Sequence, residues 1–274
     1  MGSWVIRDLL KKGHRIHCLS RSVRCSHSND SRHIQHDLST GLDYDRLPSR
    51  LDGIIHCAGR MEKGGRHVDV FAANALSTLN LLEYGKVAGI KTFVLISSGA
   101  IYGYGATPFS ELSLANPMDV YGESKYCAER LARYYDQAFP LVVILRLFFH
   151  YGPGQRRGLI PRLIDRIKNR EPIVIYNEGA PKINPIYIGD AVNAIYQSLL
   201  LEGYHTSNVC GNEIVSIEEL SRIIGDHLGV KPVFAFEKND DLSDLVGDNT
   251  FMKEVLGITP LVSLKEGIKN MLQS

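Results

Sequence analysis

The feature that most constrains this chain is the alternation, over its first half, of short β-branched runs with longer amphipathic stretches. A helix is expected over Val5–Lys12, closing at Gly13, and Arg15–Leu19 follows as a strand. Gly53–Cys57 reads as a second strand, Thr92–Ser97 as a third and Leu141–Leu147 as a fourth, separated by helices near Val70–Ala88 and Val120–Gln137. Strands this apolar have no solvated face, so the order predicts an α/β fold whose doubly wound parallel sheet is covered on both sides by helices. After Tyr151 the pattern loosens. Helices are expected near Leu159–Asn169, Ala191–Leu201, Ile217–Leu228 and from Ser263, with short strands at Ile173–Tyr176 and Ile186–Ile188.

Composition removes several classes of function. With 31 basic and 30 acidic residues the formal charge is +1, which gives no reason to expect nucleic acid or an anionic membrane as partner. The five cysteines (Cys18, Cys25, Cys57, Cys127, Cys210) are odd in number and form no CxxC pair, so reduced thiols and a cytoplasmic location are expected. The histidines are scattered without a carboxylate or cysteine framework, so no metal site is expected.

Chemistry concentrates at two places. Tyr121 and Lys125 stand four apart at the start of a predicted helix, which puts them on one face. A nearby ammonium favours a phenolate, so the pair suits proton transfer to and from an alcohol. Ser97 and Ser98 close the strand Thr92–Ser97, and the C-terminal strand ends of an open parallel sheet form its ligand crevice. A hydroxyl there can hold the reacting oxygen.

With these residues in place the chain resembles an extended short-chain dehydrogenase/reductase of the sugar epimerase/dehydratase family. The matching strings are Gly53–Gly59, Asn74–Leu82, Phe93–Gly103, Asn116–Lys125, Arg146–Gln155, Val215–Ile217 and Leu256-Gly257. The resemblance implies a Rossmann dinucleotide-binding domain over residues 1–150 and a mainly substrate-binding region over 151–274, with segments returning to the sheet. It implies Ser98 polarising the substrate oxygen, Tyr121 as acid/base, and Lys125 on the nicotinamide ribose. Asp37 and Leu38 match a pair that touches adenine, Ala58 and Gly59 match backbone passing the cofactor, and Asn74 joins the cofactor set. It also implies a homodimer through helices near Val70–Ala88 and Val120–Gln137, in which Leu76, Leu79 and Tyr84 serve either the interface or the core.

Against the family pattern the chain opens Met1-Gly2-Ser3-Trp4, with Gly2 matching the last glycine of a Gly-x-x-Gly-x-x-Gly turn. A truncated or wrongly started reading frame is expected, with a gap at the centre of the sheet and weak or no activity, over a naturally shortened protein. Ser20 and Arg21 stand where NAD-binding relatives place an acid, which favours NADP(H) and leaves NAD(H) as the alternative. Gly99 and Ala100 occupy the positions of the acidic pair of sugar dehydratases, so dehydration is disfavoured. Phe149 replaces a common asparagine and Ile183 a common arginine, which loosens the link to a diphosphate. His150 and Lys182, with Arg156 or Arg157, are the remaining candidates toward substrate. The reaction expected is epimerisation or keto reduction of a sugar, most naturally nucleotide-linked. The alternatives are reduction of a small carbonyl compound and a cofactor-binding relative without turnover.

Overall fold

The computed structural model describes residues 1–21, 31–61, 66–105, 108–239 and 242–273. Cys25 lies outside them. In chain order the elements are α1 (Gly2–Lys11), β1 (Ile16–Ser20), β2 (Ser31–Gln35), β3 (Gly53–His56), α2 (His67–Phe71), α3 (Ser77–Ala88), β4 (Thr92–Ser98), α4 (Val120–Tyr134) and β5 (Leu141–Leu147). They continue as α5 (Leu159–Lys168), β6 (Ile173–Tyr176), β7 (Lys182–Ile183), α6 (Ile188–Ser198), β8 (Gly203–Val209), β9 (Val215–Ser216), α7 (Ile217–Leu228), β10 (Phe234–Glu237), α8 (Thr250–Glu254) and α9 (Leu264–Leu272). A π-helical turn, Ala72–Leu76, joins α2 to α3.

The chain forms two compact units built from interleaved segments. The first comprises Met1–Ile101, Ala115–Arg146 and Val192–Ser207, and the second Tyr102–Leu114, Leu147–Ala191 and Asn208–Ser274. In the first, strands run β3-β4-β5-β8, with β3 and β4 parallel from Gly53 opposite Thr92 to His56 opposite Leu95. β1 and β2 form a separate parallel pair, and among the described residues β1 does not hydrogen-bond to β3. The start of α1 sits by the end of β3, because a Cβ on Gly2 would lie 3.7 Å from that of Cys57. The core packs Leu81, Leu82 and Tyr84 of α3, Phe93 and Leu95 of β4, Ala128 and Ala132 of α4, and Val142 and Ile144 of β5. In the second unit Ile160, Leu163 and Ile167 of α5 pack with Leu220 and Ile224 of α7 and Ile268 of α9.

Some expected boundaries move. Ile186–Ile188 is not a strand: Tyr187 forms a single parallel bridge to Tyr151, and Ile188 then opens α6. Burial of Ile186 and Ile188 is satisfied there without a sheet ladder. β2, β8 and β10 were not expected, because their sequences SRHIQ, GYHTSNV and FAFE carry too little apolar alternation or length to stand out. No described helix is long and apolar enough to cross a membrane.

Helix α4 begins sharply. Asp119 caps it by accepting a hydrogen bond from the Gly122 amide at 2.7 Å. A Cβ at Gly122 would lie 2.8 Å from the Ala100 carbonyl oxygen and 2.9 Å from the Pro117 Cβ, so only glycine lets the first turn approach this closely. Gly122→Ala should lose stability on the order of 1 kcal/mol, because overpacking against backbone outweighs the roughly 1 kcal/mol that alanine gains in a helix. A urea midpoint equal to that of the wild type would contradict this packing.

Candidate active site

The close of β4 and the first turns of α4 bring the three sequence-predicted catalytic residues into one unit. Ser98 is the last residue of β4, and its hydroxyl accepts from the Ala100 amide at 3.2 Å. Tyr121 lies in the first turn of α4, with its phenol near enough to Ser98 for that hydroxyl to act on its titration. Burial holds the Tyr121 phenol above its ordinary range, and the Ser98 hydroxyl works in the opposite direction. Burial, rather than the expected help from Lys125, is therefore the largest influence on this phenol.

Lys125, one turn further on, is 4% exposed and donates from Nζ to the Ile96 carbonyl at 2.8 Å. Burial pushes its ammonium down to about 8, while Cys57 and Glu129 act to raise it. The same burial pushes the Cys57 thiol up to about 11.

The loop after β3 passes this ammonium at close range. A Cβ on Gly59 would lie 3.2 Å from Lys125 Nζ and 3.3 Å from Asn74 Oδ1, so a side chain there would crowd both. Ala58 and Gly59 are themselves exposed. Asn74 has a different part from the direct cofactor contact expected. It is 1% exposed, donates to the Arg60 carbonyl at 2.9 Å and to Ser124 Oγ at 2.8 Å, and accepts from the Arg60 amide at 2.7 Å. Its amide clamps the loop of Ala58 and Gly59 to α4 from within the π-helical turn, a distortion often found at functional positions.

The strand β1 ends at Ser20, whose hydroxyl is hydrogen-bonded to His33 Nε2 at 3.0 Å. Arg21 is exposed, and its charge helps to hold the Asp37 carboxyl low, after the larger effect of two hydrogen bonds from Ser39. Arg21 thus has a carboxylate in its surroundings, which weakens the sequence argument that it waits for a phosphate. Leu38 is buried against the core of the first unit, with Asp37 capping the short turn Leu38–Thr40. Gly2 starts α1, where no side chain caps the helix.

The substrate candidates Phe149, His150 and Lys182 belong to the second unit. Phe149 has φ 44°, in the left-handed region that asparagine tolerates far better, and it packs against the core of Ile160 and its neighbours. Burial pushes His150 down to about 4. Lys182 is exposed, and its charge helps to hold Glu219 low after the Ser216 hydrogen bonds.

Sequence reasoning missed the buried polar set beneath the site. Glu129 is 4% exposed and accepts from Ser97 Oγ at 2.5 Å and from Arg146 through Nε at 3.1 Å and Nη2 at 2.7 Å. The available signal was the i,i+4 spacing of Lys125 and Glu129, which places an acid on the buried face. His56 is 2% exposed, lies 3.2 Å from Ser77 Oγ, and is pushed down to about 3 by burial, with the Lys125 charge adding to the effect.

Because His56 stays neutral when folded, the unfolded chain binds a proton below the ordinary 6.5 that the folded chain refuses, and stability falls as pH falls toward 3. Between pH 7 and 5 this costs about 2 kcal/mol. His56→Gln should lose that much less over the same interval, measured by urea unfolding. Identical pH dependences would contradict the assignment.

Comparisons with known proteins agree on one grouping. The family model for the NAD dependent epimerase/dehydratase family matches residues 1–210. An uncharacterised UDP-glucose epimerase, YtcB, of Bacillus subtilis is 32% identical over 86% of this chain and 78% of its own length. The UDP-glucuronate 4-epimerase of Thermodesulfobacterium geofontis is 32% identical over 80% of this chain and 71% of its own. Among solved structures, MoeE5 in complex with UDP-glucuronic acid and NAD superposes with a TM-score of 0.88 at 27% identity, covering 99% of this chain and 94% of that one. This chain belongs to the NAD dependent epimerase/dehydratase family.

Proposed function

We propose that the protein is a nucleotide-sugar 4-epimerase that works with NAD, on a UDP-linked hexose or hexuronate. The observation that carries this reading is the placing of Ser98 at the end of β4 beside Tyr121 in the first turn of α4, with the buried Lys125 ammonium one turn beyond. The names of its relatives, UDP-glucose epimerase and UDP-glucuronate 4-epimerase, support the substrate class.

The residues present fit a dinucleotide. Gly59 leaves open the space that a Cβ would fill beside Lys125, and α1 begins without a side-chain cap. Lys125 and Tyr121 would hold the nicotinamide ribose, Ala58, Gly59 and the start of α1 at Gly2 the middle of the cofactor, and Ser20, Arg21 and Asp37 its adenosine end. Bound there, NAD supplies the acceptor, and then the donor, of the hydride at the sugar carbinol carbon. Tyr121 takes the hydroxyl proton as the oxygen becomes a carbonyl, and gives it back when the alcohol reforms on the other face. Ser98 donates to that oxygen throughout. Lys125 keeps a positive charge near the phenol once the cofactor ribose is in place, offsetting the burial that otherwise raises it. Gly99 and Ala100 offer no acid for eliminating water, which separates this reading from the dehydratases. The first unit is thus assigned to the cofactor, and the second, with Phe149 and His150, to the sugar.

A keto-sugar reductase is the second reading, favoured by 31% identity to the dTDP-4-dehydro-6-deoxyglucose reductase of Escherichia coli over 74% of this chain. Exposed Val68, Phe71 and Leu76 on α2 and the turn after it support pairing with a second copy, whereas Tyr84 belongs to the core. The thiols of Cys57, Cys127 and Cys210, outside any disulfide among the described residues, support a cytoplasmic location.

Incubation with NAD and UDP-glucose or UDP-glucuronate should yield the C4 epimer by chromatography, with no net reduced cofactor. Tyr121→Phe should lower turnover by about 10²–10⁴-fold without unfolding the chain. Net consumption of reduced cofactor with a 4-keto sugar, and no epimer, would select the reductase. In thermal shift, NAD at a hundredfold excess over its Kd should stabilise the protein by about 2.7 kcal/mol over the unliganded state, and NADP at the same concentration by less. Stronger stabilisation by NADP that Arg21→Ala abolishes would restore the NADP reading.

A further inference from the structure

A buried carboxylate that touches neither Tyr121 nor Ser98 directly stands beneath the site. Glu129 follows Lys125 by one turn of α4 and grips two strands at once. Ser97 Oγ, on the opposite face of β4 from its neighbour Ser98, donates to it at 2.5 Å, and the Arg146 guanidinium on β5 donates to both its oxygens. The Nη2–Oε2 separation is 2.7 Å with both side chains almost fully withdrawn from solvent. Two-point Arg–carboxylate contacts of this kind fix orientation as well as distance. Lys125, on the same helix, meanwhile holds the Ile96 carbonyl one residue before Ser97. Helix α4 is therefore pinned to β4 at two successive residues by two successive turns.

We propose that Glu129 is a positioning residue, whose carboxylate, by joining α4 to Ser97 of β4 and Arg146 of β5, fixes Ser98, Tyr121 and Lys125 relative to one another. This rests on the acid/base reading of those three residues. It also gives Glu129 an electrostatic part. The groups facing Lys125 are Cys57 and His56 from the end of β3, with the Met1 amine beside Cys57, and Glu129 from α4 itself. The groups facing Glu129 are Ser97 of β4, Arg146 of β5, Lys125 of α4 and Tyr204 of β8. Around Lys125, His56 stays neutral and the Cys57 thiol stays protonated through neutral pH. Glu129 is then the one carboxylate named among these groups. Removing its charge leaves Arg146 unbalanced nearby, and both changes make the Lys125 ammonium easier to deprotonate.

The test compares Glu129→Gln, Glu129→Asp and, as a control on the exposed side of the same helix, Glu123→Gln. Lys125 is titrated by NMR in protein carrying lysine labelled at the ε carbon, its signal assigned by its absence in Lys125→Met. Epimerisation kinetics are measured across pH in parallel. In Glu129→Gln the Lys125 midpoint should fall by about one unit or more, the alkaline limb of kcat should move to lower pH with it, and kcat should drop about 10–100-fold with KM little changed. Glu129→Asp should restore the midpoint while keeping part of the kcat loss, since it returns the charge but shortens the reach. Glu123→Gln should change neither. An unchanged Lys125 midpoint and unchanged kcat in folded Glu129→Gln would overturn the proposal. If that variant fails to fold, an unchanged kcat in Glu129→Asp relative to wild type would overturn the positioning claim. Should the wild type epimerise no nucleotide sugar, the functional reading fails, and the NMR titration still decides whether Glu129 governs Lys125.

Discussion

The structure around the site depends on one buried ion pair. Glu129 and Arg146 satisfy each other within a core of Val142, Ile144, Ala128 and Ala132, where an unpaired charge is costly. Such a pair adds little net stability over apolar packing, but its geometry permits only one placement of α4 on the strands it covers. Ser97 completes the carboxylate's contacts, and Lys125 finds its own acceptor at Ile96, so every buried charge at this junction has a partner. Ser98 and Tyr121 stand on the same two elements, at the end of β4 and in the first turn of α4. Their closeness follows from what is packed behind them.

This arrangement also explains why the first turn of α4 is built as it is. Asp119 caps the helix, Gly122 lets it approach the Ala100 carbonyl, and Ser124 receives the amide of Asn74. The helix face that carries Tyr121 and Lys125 is thereby joined to the loop of Ala58 and Gly59 on one side and to β4 on the other. A cofactor lying along that loop would meet a lysine whose position is already set.

Much of this was legible in the chain itself. The apolar strands at Gly53, Thr92 and Leu141 announce a parallel sheet, and the four-residue spacing of Tyr121 and Lys125 announces a shared helix face, because both rest on local periodicity. The weaker signals were those in which polar residues do structural work. β2 and β8 hide behind Ser, Arg, His and Asn side chains, and Ser207 and Asn208 are fully buried in a strand that reads as polar. Asn74 reads as a ligand but is consumed as a clamp, and Glu129 reads as an ordinary helical acid although it sits in the core. Ser20-Arg21 reads as an NADP signal until the fold brings the Asp37 carboxyl, sixteen residues on, within reach of the Arg21 charge. Contacts between residues distant in sequence decided each of these.

In the proposed reaction Ser98, Tyr121 and Lys125 act together on the carbinol of a nucleotide sugar with a nicotinamide bound beside them. The most direct measurement is the absorbance of reduced nicotinamide on the purified, NAD-loaded protein as a UDP-sugar is added. A band should appear with the sugar, decay as the epimer forms, and be absent in a variant lacking the Tyr121 hydroxyl. Epimer formation with full rate in that variant, or no band with any nucleotide sugar while NAD is demonstrably bound, would contradict it.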